Sequence, residues 1–101
     1  MTARKPDLRE SANGQPCMIR LEGVCNGDPS TTVLAHYRMI GISGISRKPP
    51  DLLAAFACSD CHDAVDRRRF TDLEREHVQL AHLRGVMRTQ DWWLQQGLIA
   101  L

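Results

Sequence analysis

Hydrophobic and polar positions change their period along this chain, and the changes predict where its elements lie. Residues 71–97 place apolar side chains at roughly helical spacing, which predicts one long C-terminal helix. Thr71 with Glu74 has the pattern of a capping box at the start of this helix. Gly97 is expected to end the helix, and Gly85 is expected to bend or divide it.

Shorter patterns predict the remaining elements. The segment TTVLAHYRMI, residues 31–40, is rich in β-branched and aromatic side chains and predicts a strand. The apolar run LLAAFAC, residues 52–58, fits a strand or a helix, because periodicity cannot decide so short a run. Residues 17–25 alternate loosely, as in a short strand or hairpin. Residues 7–14 predict a short N-terminal helix, with Asp7 as its N-cap and a stop at its final glycine.

The chain length predicts how these elements are organised. The 101 residues suffice for one compact domain, and the ordinary hydrophobic fraction of 43% argues against disorder. We therefore expect a single domain over residues 1–101, with residues 1–6 flexible. Residues 17–69 would form its core and site, and a helix is expected over 62–69 because that segment lacks breakers. The glycine- and proline-containing segment 41–51 predicts a loop.

Charge and hydropathy exclude several partners. The formal net charge is only +1, so any nucleic-acid site must come from local clusters of basic residues. No apolar run approaches the roughly 20 residues of a membrane span, and no signal-type apolar stretch follows the charged start. We therefore expect a cytoplasmic protein with no membrane partner.

Four cysteines give the first chemical signal. Cys58 and Cys61 have the two-residue spacing of a zinc knuckle, whereas Cys17 and Cys25 are farther apart. Because persistent disulfides are rare in a reducing compartment, the two pairs predict a structural Zn²⁺ held by four sulfur atoms. The alternative is that the first pair consists of buried apolar thiols and that only the second pair matters.

The histidine after the knuckle predicts a second site. If a helix begins near Cys61, then His62 and Asp66 stand at i and i+4 on one face, directed away from the zinc. Such a pair can share Mg²⁺ or Mn²⁺ with water and a phosphate, since these ions prefer oxygen-rich ligand sets. The alternative is an ordinary His–Asp contact on a solvated face. Asp63 lies off this face and is expected to cap the helix N-terminus.

His36, in the predicted strand, is a candidate general base for a hydrolytic reaction. A neutral imidazole near its pKa can take a proton from water, while a bound cation stabilises the developing charge. Nearby basic residues could hold the flanking phosphates of a nucleic acid; the candidates are Arg38, Arg47, Lys48, Arg67, Arg68 and Arg69. The alternative for the arginine run is a solubilising face.

Three segments together resemble a known family. They are CMIRLEGVCNGDPSTTVLAHYRMIG, KPPDLLAAFACSDCHDAVDRR and RTQDWWLQQGLI, and they span nearly the whole chain after its first few residues. They resemble the HNH (ββα-metal, or His-Me finger) endonucleases, and most of all the prophage-encoded recombination-enhancement, RecA-dependent nucleases of the YbcO type. The resemblance implies an α+β fold, a small zinc-stabilised ββα-metal domain with an N-terminal helix and a long C-terminal helix. It also implies metal-dependent hydrolysis of DNA phosphodiester bonds in phage or prophage recombination or DNA processing, with DNA and a RecA-type recombinase as partners.

The resemblance also assigns roles to single residues. It makes His36 the general base, His62 a catalytic-metal ligand at the start of the helix of the ββα unit, and the four cysteines the structural zinc site. Two positions depart from the family pattern. Ala35 replaces an aspartate ligand that often precedes the catalytic histidine, so Asp66 is the substitute carboxylate. No asparagine stands where the general base is usually oriented, and Asp51 is the nearest polar candidate.

Other readings of the chain stay open. The alternative function is a non-catalytic zinc module that binds nucleic acid or a protein partner through the C-terminal helix. Trp92 and Trp93 are expected to anchor that helix to the core, with stacking on bases or a dimer contact as the alternatives, so a monomer and a homodimer both remain. His77 and His82 lie five residues apart and are expected to be half-buried or surface residues and not ligands.

Overall fold

A computed structural model describes residues 7–38 and 49–100 of the chain. Within these ranges the regular elements are three short 3₁₀ turns, two strands and two helices. In chain order they are Glu10–Ala12, Pro29–Thr31, strand β1 (Val33–His36), Asp51–Leu53, strand β2 (Ala54–Ala57), helix α1 (Ser59–Val65) and helix α2 (Arg75–Gln95). The described part of the chain is therefore a small α+β arrangement, as the sequence predicts.

The two strands form an antiparallel sheet that is covered on both faces. Val33 is paired with Ala57 and His36 with Ala54, and all four residues of β2 are buried. A strand buried on both faces has no polar face, which explains why its sequence is continuously apolar. The run whose period fitted either a strand or a helix is thus a strand.

Alternate strand residues belong to two separate parts of the core. One part combines Ala35, Ala55 and Ala57 with three of the cysteines and Val86. The other combines Leu34, Ala54 and Phe56 with Trp93. The period of two along each strand therefore places the cysteines against one face of the sheet and the C-terminal helix end against the other.

Helix α2 packs closely against β2 because one residue on its inner face, Gly85, has no side chain. A Cβ atom at Gly85 would lie 2.9 Å from Ile19 Cγ1 and 3.1 Å from Ala55 Cβ. The helix runs unbroken through Gly85, so the expected division does not occur. The absence of a side chain here allows the helix to pack close to the strand.

Two turns further along α2, Trp93 is fully buried and its Nε1 donates to Ser11 Oγ at 2.8 Å, which confirms that the C-terminal helix is anchored to the core.

Several predicted boundaries are wrong. Helix α1 spans 59–65 and not 62–69, because Arg67 adopts a left-handed φ of 61° that ends the helix. His62 therefore lies inside α1, and Asp63 cannot cap its start. Helix α2 begins at Arg75 and has no capping box, because Thr71 Oγ1 accepts from the N–H of Leu73, two residues on.

The region between the first two cysteines also differs from its prediction. Among the described residues, 17–25 contain no strand and fold as consecutive tight turns with left-handed φ values at Arg20 (58°) and Gly23 (71°). At the C-terminus the expected stop is confirmed, since Gly97 follows α2 with a φ of 75°. Most of the predicted loop, including Arg47 and Lys48, lies outside the described residues. None of the helices in the described ranges has the length and apolar character needed to cross a bilayer.

Candidate active site and cysteine cluster

Four cysteine sulfur atoms converge at the N-terminus of α1. The Sγ atoms of Cys17, Cys25, Cys58 and Cys61 all lie within 4.8 Å of one another, and those of Cys25 and Cys58 are 3.9 Å apart. Four sulfurs bound tetrahedrally to zinc at ~2.3 Å would be roughly 3.8 Å apart. The cluster therefore fits a structural metal such as zinc, and it includes the wider first pair.

Two short turns place the sulfurs. The backbone N–H of Arg20 donates to Cys17 Sγ at 3.5 Å, and that of Cys61 donates to Cys58 Sγ at 3.4 Å. In each turn the donor follows the sulfur by three residues. The left-handed conformation at Arg20 belongs to the first turn, and Cys58 is the N-cap of α1 in the second. Cys17 thus begins the same kind of turn as Cys58, but the third residue after it is Arg20 and not a cysteine.

The thiol pKa values of the cysteines differ within the cluster. A hydrogen bond from the Cys61 thiol, assisted by the backbone N–H of Arg20, lowers the pKa of Cys17 to about 4. The same bond, together with burial, raises the pKa of Cys61, and burial raises that of Cys25. A bound cation would favour the deprotonated form of all four sulfurs, because thiolates and not thiols are metal ligands.

His36 is held by a carboxylate at the end of β1. Its Nε2 lies 2.7 Å from Asp51 Oδ1, and its side chain is 14% exposed. The strand ends at His36, and Asp51 belongs to the 3₁₀ turn that leads directly into the partner strand β2. Because an ionised carboxylate can only accept, this contact assigns the proton to Nε2 and leaves Nδ1 as the basic nitrogen.

His62 and Asp66 form the i, i+4 pair that the sequence predicts. His62 Nε2 lies 3.1 Å from Asp66 Oδ2, and both side chains are partly exposed. Neighbouring ligand atoms around an octahedral Mg²⁺ at ~2.1 Å would be roughly 3 Å apart. The pair therefore has the separation that two ligands of one ion require. Of the described residues, only the four cysteines bring three or more candidate ligand atoms together, so the remaining ligands here would be water and phosphate.

An open groove of about 900 Å³ joins several of these side chains. Its walls include His36, Asp66 and His82, together with the basic residues Arg38, Arg67, Arg68, Arg69 and Arg75. Two of the arginines also contact carboxylates: Arg69 Nη1 lies 2.6 Å from Asp60 Oδ1, and Arg68 Nη2 lies 3.8 Å from Asp66 Oδ2. The predicted arginines within the described ranges thus share one concave surface with the predicted general base.

His82 has a role that the sequence reasoning missed. It is buried on α2, and its Nε2 lies 2.8 Å from the carbonyl oxygen of Ala35, the residue before His36. Its ring also makes an edge contact with Tyr37. The burial of His82 could have been predicted from the helical period, since positions 78, 82, 86, 89 and 93 lie on the inner face of α2. Ala35 itself is fully buried, and its methyl side chain carries no ligand atom.

The chain is similar to known proteins along nearly its whole length. A family model described as "Putative nuclease YbcO" matches residues 6–98. The "Putative nuclease YbcO" of Escherichia coli (strain K12) is 50% identical over 94 residues, which cover 92% of this chain and 96% of the relative. The "Putative nuclease ybcO" of Enterobacteria phage 82 has the same identity and coverage. A solved structure, "Structure of a putative bacteriophage protein from Escherichia coli str. K-12 substr. MG1655", has a TM-score of 0.77 at 45% identity and covers 90% of this chain and 100% of its own.

Proposed function

Because this chain belongs to the YbcO family, we propose that it is a metal-dependent endonuclease that hydrolyses DNA phosphodiester bonds. The observation that carries the proposal is the 2.7 Å contact of His36 with Asp51 at the wall of an arginine-lined groove. A histidine oriented by a carboxylate can act as a general base, and clustered arginines suit a phosphate backbone. The names of the relatives support the choice of a nuclease.

The proposal includes membership of the HNH, or His-Me finger, class. Its support is the order β1, β2, α1, with His36 at the end of the first strand and His62 in the helix. The cysteine cluster would hold a structural Zn²⁺ at the start of that helix. The phage source of one relative supports a role in a phage or prophage, and we propose that this role is recombination or DNA processing. A RecA-type recombinase partner and a cytoplasmic location stay predictions.

The proposed chemistry assigns one proton transfer to His36. Asp51 accepts from Nε2–H, so Nδ1 takes the proton of a water molecule as its oxygen attacks phosphorus. The P–O bond opposite the attacking water breaks, and its electron pair leaves with the departing oxygen. Mg²⁺ or Mn²⁺ at His62 and Asp66 would supply stabilisation of the negative charge on the phosphate and the leaving oxygen. The three consecutive arginines, Arg67, Arg68 and Arg69, would hold the flanking phosphates.

Plasmid nicking with added Mg²⁺ or Mn²⁺ tests the proposal. His36→Ala should reduce the nicking rate by about 100-fold or more, the range that general bases contribute. Asp51→Ala should also reduce the rate. His77→Ala is the matched control, because His77 is exposed on α2 and lies outside the groove.

A second function is favoured by one observation. The His62–Asp66 pair provides only two protein ligands among the described residues, as expected if the site has lost its catalytic ion. The chain would then be a non-catalytic zinc module that binds nucleic acid or a protein. If neither the wild-type protein nor His36→Ala nicks the plasmid while both bind DNA equally, this second function replaces the first.

A further inference from the structure

Phe70 is an aromatic side chain held out into solvent. It is 87% exposed, whereas Phe56 and Trp93 are fully buried. The backbone before it is fixed, since the N–H groups of Arg68 and Arg69 both donate to the carbonyl oxygen of Asp63, at 2.8 and 3.2 Å. Phe70 therefore follows a hydrogen-bonded turn at the end of α1, and its ring is exposed there.

The position of Phe70 separates it from the other exposed apolar side chains. It lies on the wall of the groove that contains His36, directly after three consecutive arginines. Leu80 and Met87 are also exposed, but they lie on α2 outside the groove. An aromatic ring beside clustered positive charge is the combination that binds single-stranded nucleic acid, because the arginines contact phosphates while the ring stacks on a base.

We propose that Phe70 stacks on an unpaired base, and that the substrate of this groove is DNA with unpaired nucleotides next to the cleaved bond. The inference rests on the proposed function, since it requires that the groove binds DNA. In a duplex each base face is covered by its neighbours, so a ring at the protein surface must first separate two stacked base pairs, at a cost of a few kcal/mol. An unpaired base offers a free face without that cost. Phe70 would thus select the structure of the substrate, while the arginines contact the backbone of any DNA.

Binding measurements without added Mg²⁺ or Mn²⁺ test this selection. The probes are a fluorescein-labelled, mixed-sequence single-stranded oligonucleotide and its fully paired duplex, followed by fluorescence anisotropy. Phe70→Ala should weaken binding of the single strand by about fivefold or more and change binding of the duplex by less than about twofold. Phe70→Trp should retain single-strand binding. Met87→Ala is the matched control, since it removes an exposed apolar side chain outside the groove.

The outcomes separate this inference from the proposed function. Equal weakening for both probes, no weakening for either, or no single-strand binding by the wild-type protein would each overturn the role of Phe70. If the protein nicks plasmid but Phe70→Ala binds both probes normally, only this inference fails. If the protein never nicks but Phe70→Ala loses single-strand binding selectively, only the endonuclease fails. Thermal unfolding of each variant should match the wild type, because Phe70 makes no buried contact.

Discussion

The Nε2 atom of His82 in α2 lies 2.8 Å from the carbonyl oxygen of Ala35, one residue before His36. This bond connects the long helix to the strand end that positions the proposed general base. Burial lowers the pKa of His82; the contact with Ala35 and the charge of Asp66 act in the opposite direction, while His62 and His36 lower it further. Above about pH 6.5, His82 is therefore neutral in the folded protein, and its Nε2–H donates to the Ala35 carbonyl oxygen.

The lowered pKa of His82 makes stability depend on pH. Since the folded pKa lies below the unfolded value of about 6.5, the unfolded chain binds the proton first as the pH falls. The contribution is fully present above about pH 6.5 and is lost as the pH decreases toward the folded pKa. His82→Gln, which keeps an N–H donor, should remove this part of the pH dependence in urea unfolding. If the free energy of unfolding changes with pH in the same way for the wild type and His82→Gln, the prediction is contradicted. His77→Gln, on the exposed face of the helix, is the control.

Replacing His62 should separate the two proposed metal sites. His62 is not part of the cysteine cluster and contacts Asp66 instead. We therefore expect His62→Ala to abolish nicking, to retain the fold by circular dichroism and to leave the zinc content unchanged by atomic emission. A variant that loses zinc would show that His62 is a ligand of the structural site.

Replacing Cys58 should unfold the domain. A structural zinc site contributes on the order of 10 kcal/mol to the folding of small domains, which is comparable to or larger than their entire stability. Cys58 is both a member of the cluster and the N-cap of α1, so Cys58→Ser should lose zinc and the helical circular dichroism signal together. A folded, zinc-free Cys58→Ser protein would show that the metal does not determine the fold. Ser59→Ala, at the next and exposed position, is the control.

Gly85→Ala should destabilise the protein although alanine favours helices. The intrinsic preference for alanine is worth about 1 kcal/mol, whereas overpacking a core costs about 1–3 kcal/mol. The new Cβ would lie 2.9 Å from Ile19 Cγ1 and 3.1 Å from the carbonyl oxygen of Met18, and the backbone oxygen cannot move away easily. The urea midpoint should therefore decrease, while Arg84→Ala on the exposed side of the helix should change it little. An unchanged or higher midpoint for Gly85→Ala would mean that α2 can shift away from β2.

The features that the sequence predicts well are those decided by neighbouring residues. The Cys58–Cys61 spacing, the β-rich composition around Val33 and the glycine at position 97 each specify a local geometry. The turns over 17–25 could not be read in the same way, because there the sulfur cluster and not hydrophobic alternation determines the backbone. The start of α1 was misplaced for a related reason: the Cys58 side chain caps the helix, a role more usual for serine, threonine or aspartate. His82 was missed because its partner, Ala35, is remote in sequence and contributes only a main-chain oxygen.

Cys61 and His62 are consecutive residues of one helix, and this limits how the site can move. No hinge separates the sulfur cluster from the pair formed by His62 and Asp66, since all three residues belong to α1 or to its C-cap. A rotation of α1 large enough to withdraw His62 from a substrate would also displace Cys61 Sγ from the other three sulfurs. His62 and Asp66 are therefore held in a fixed position relative to the sulfur cluster.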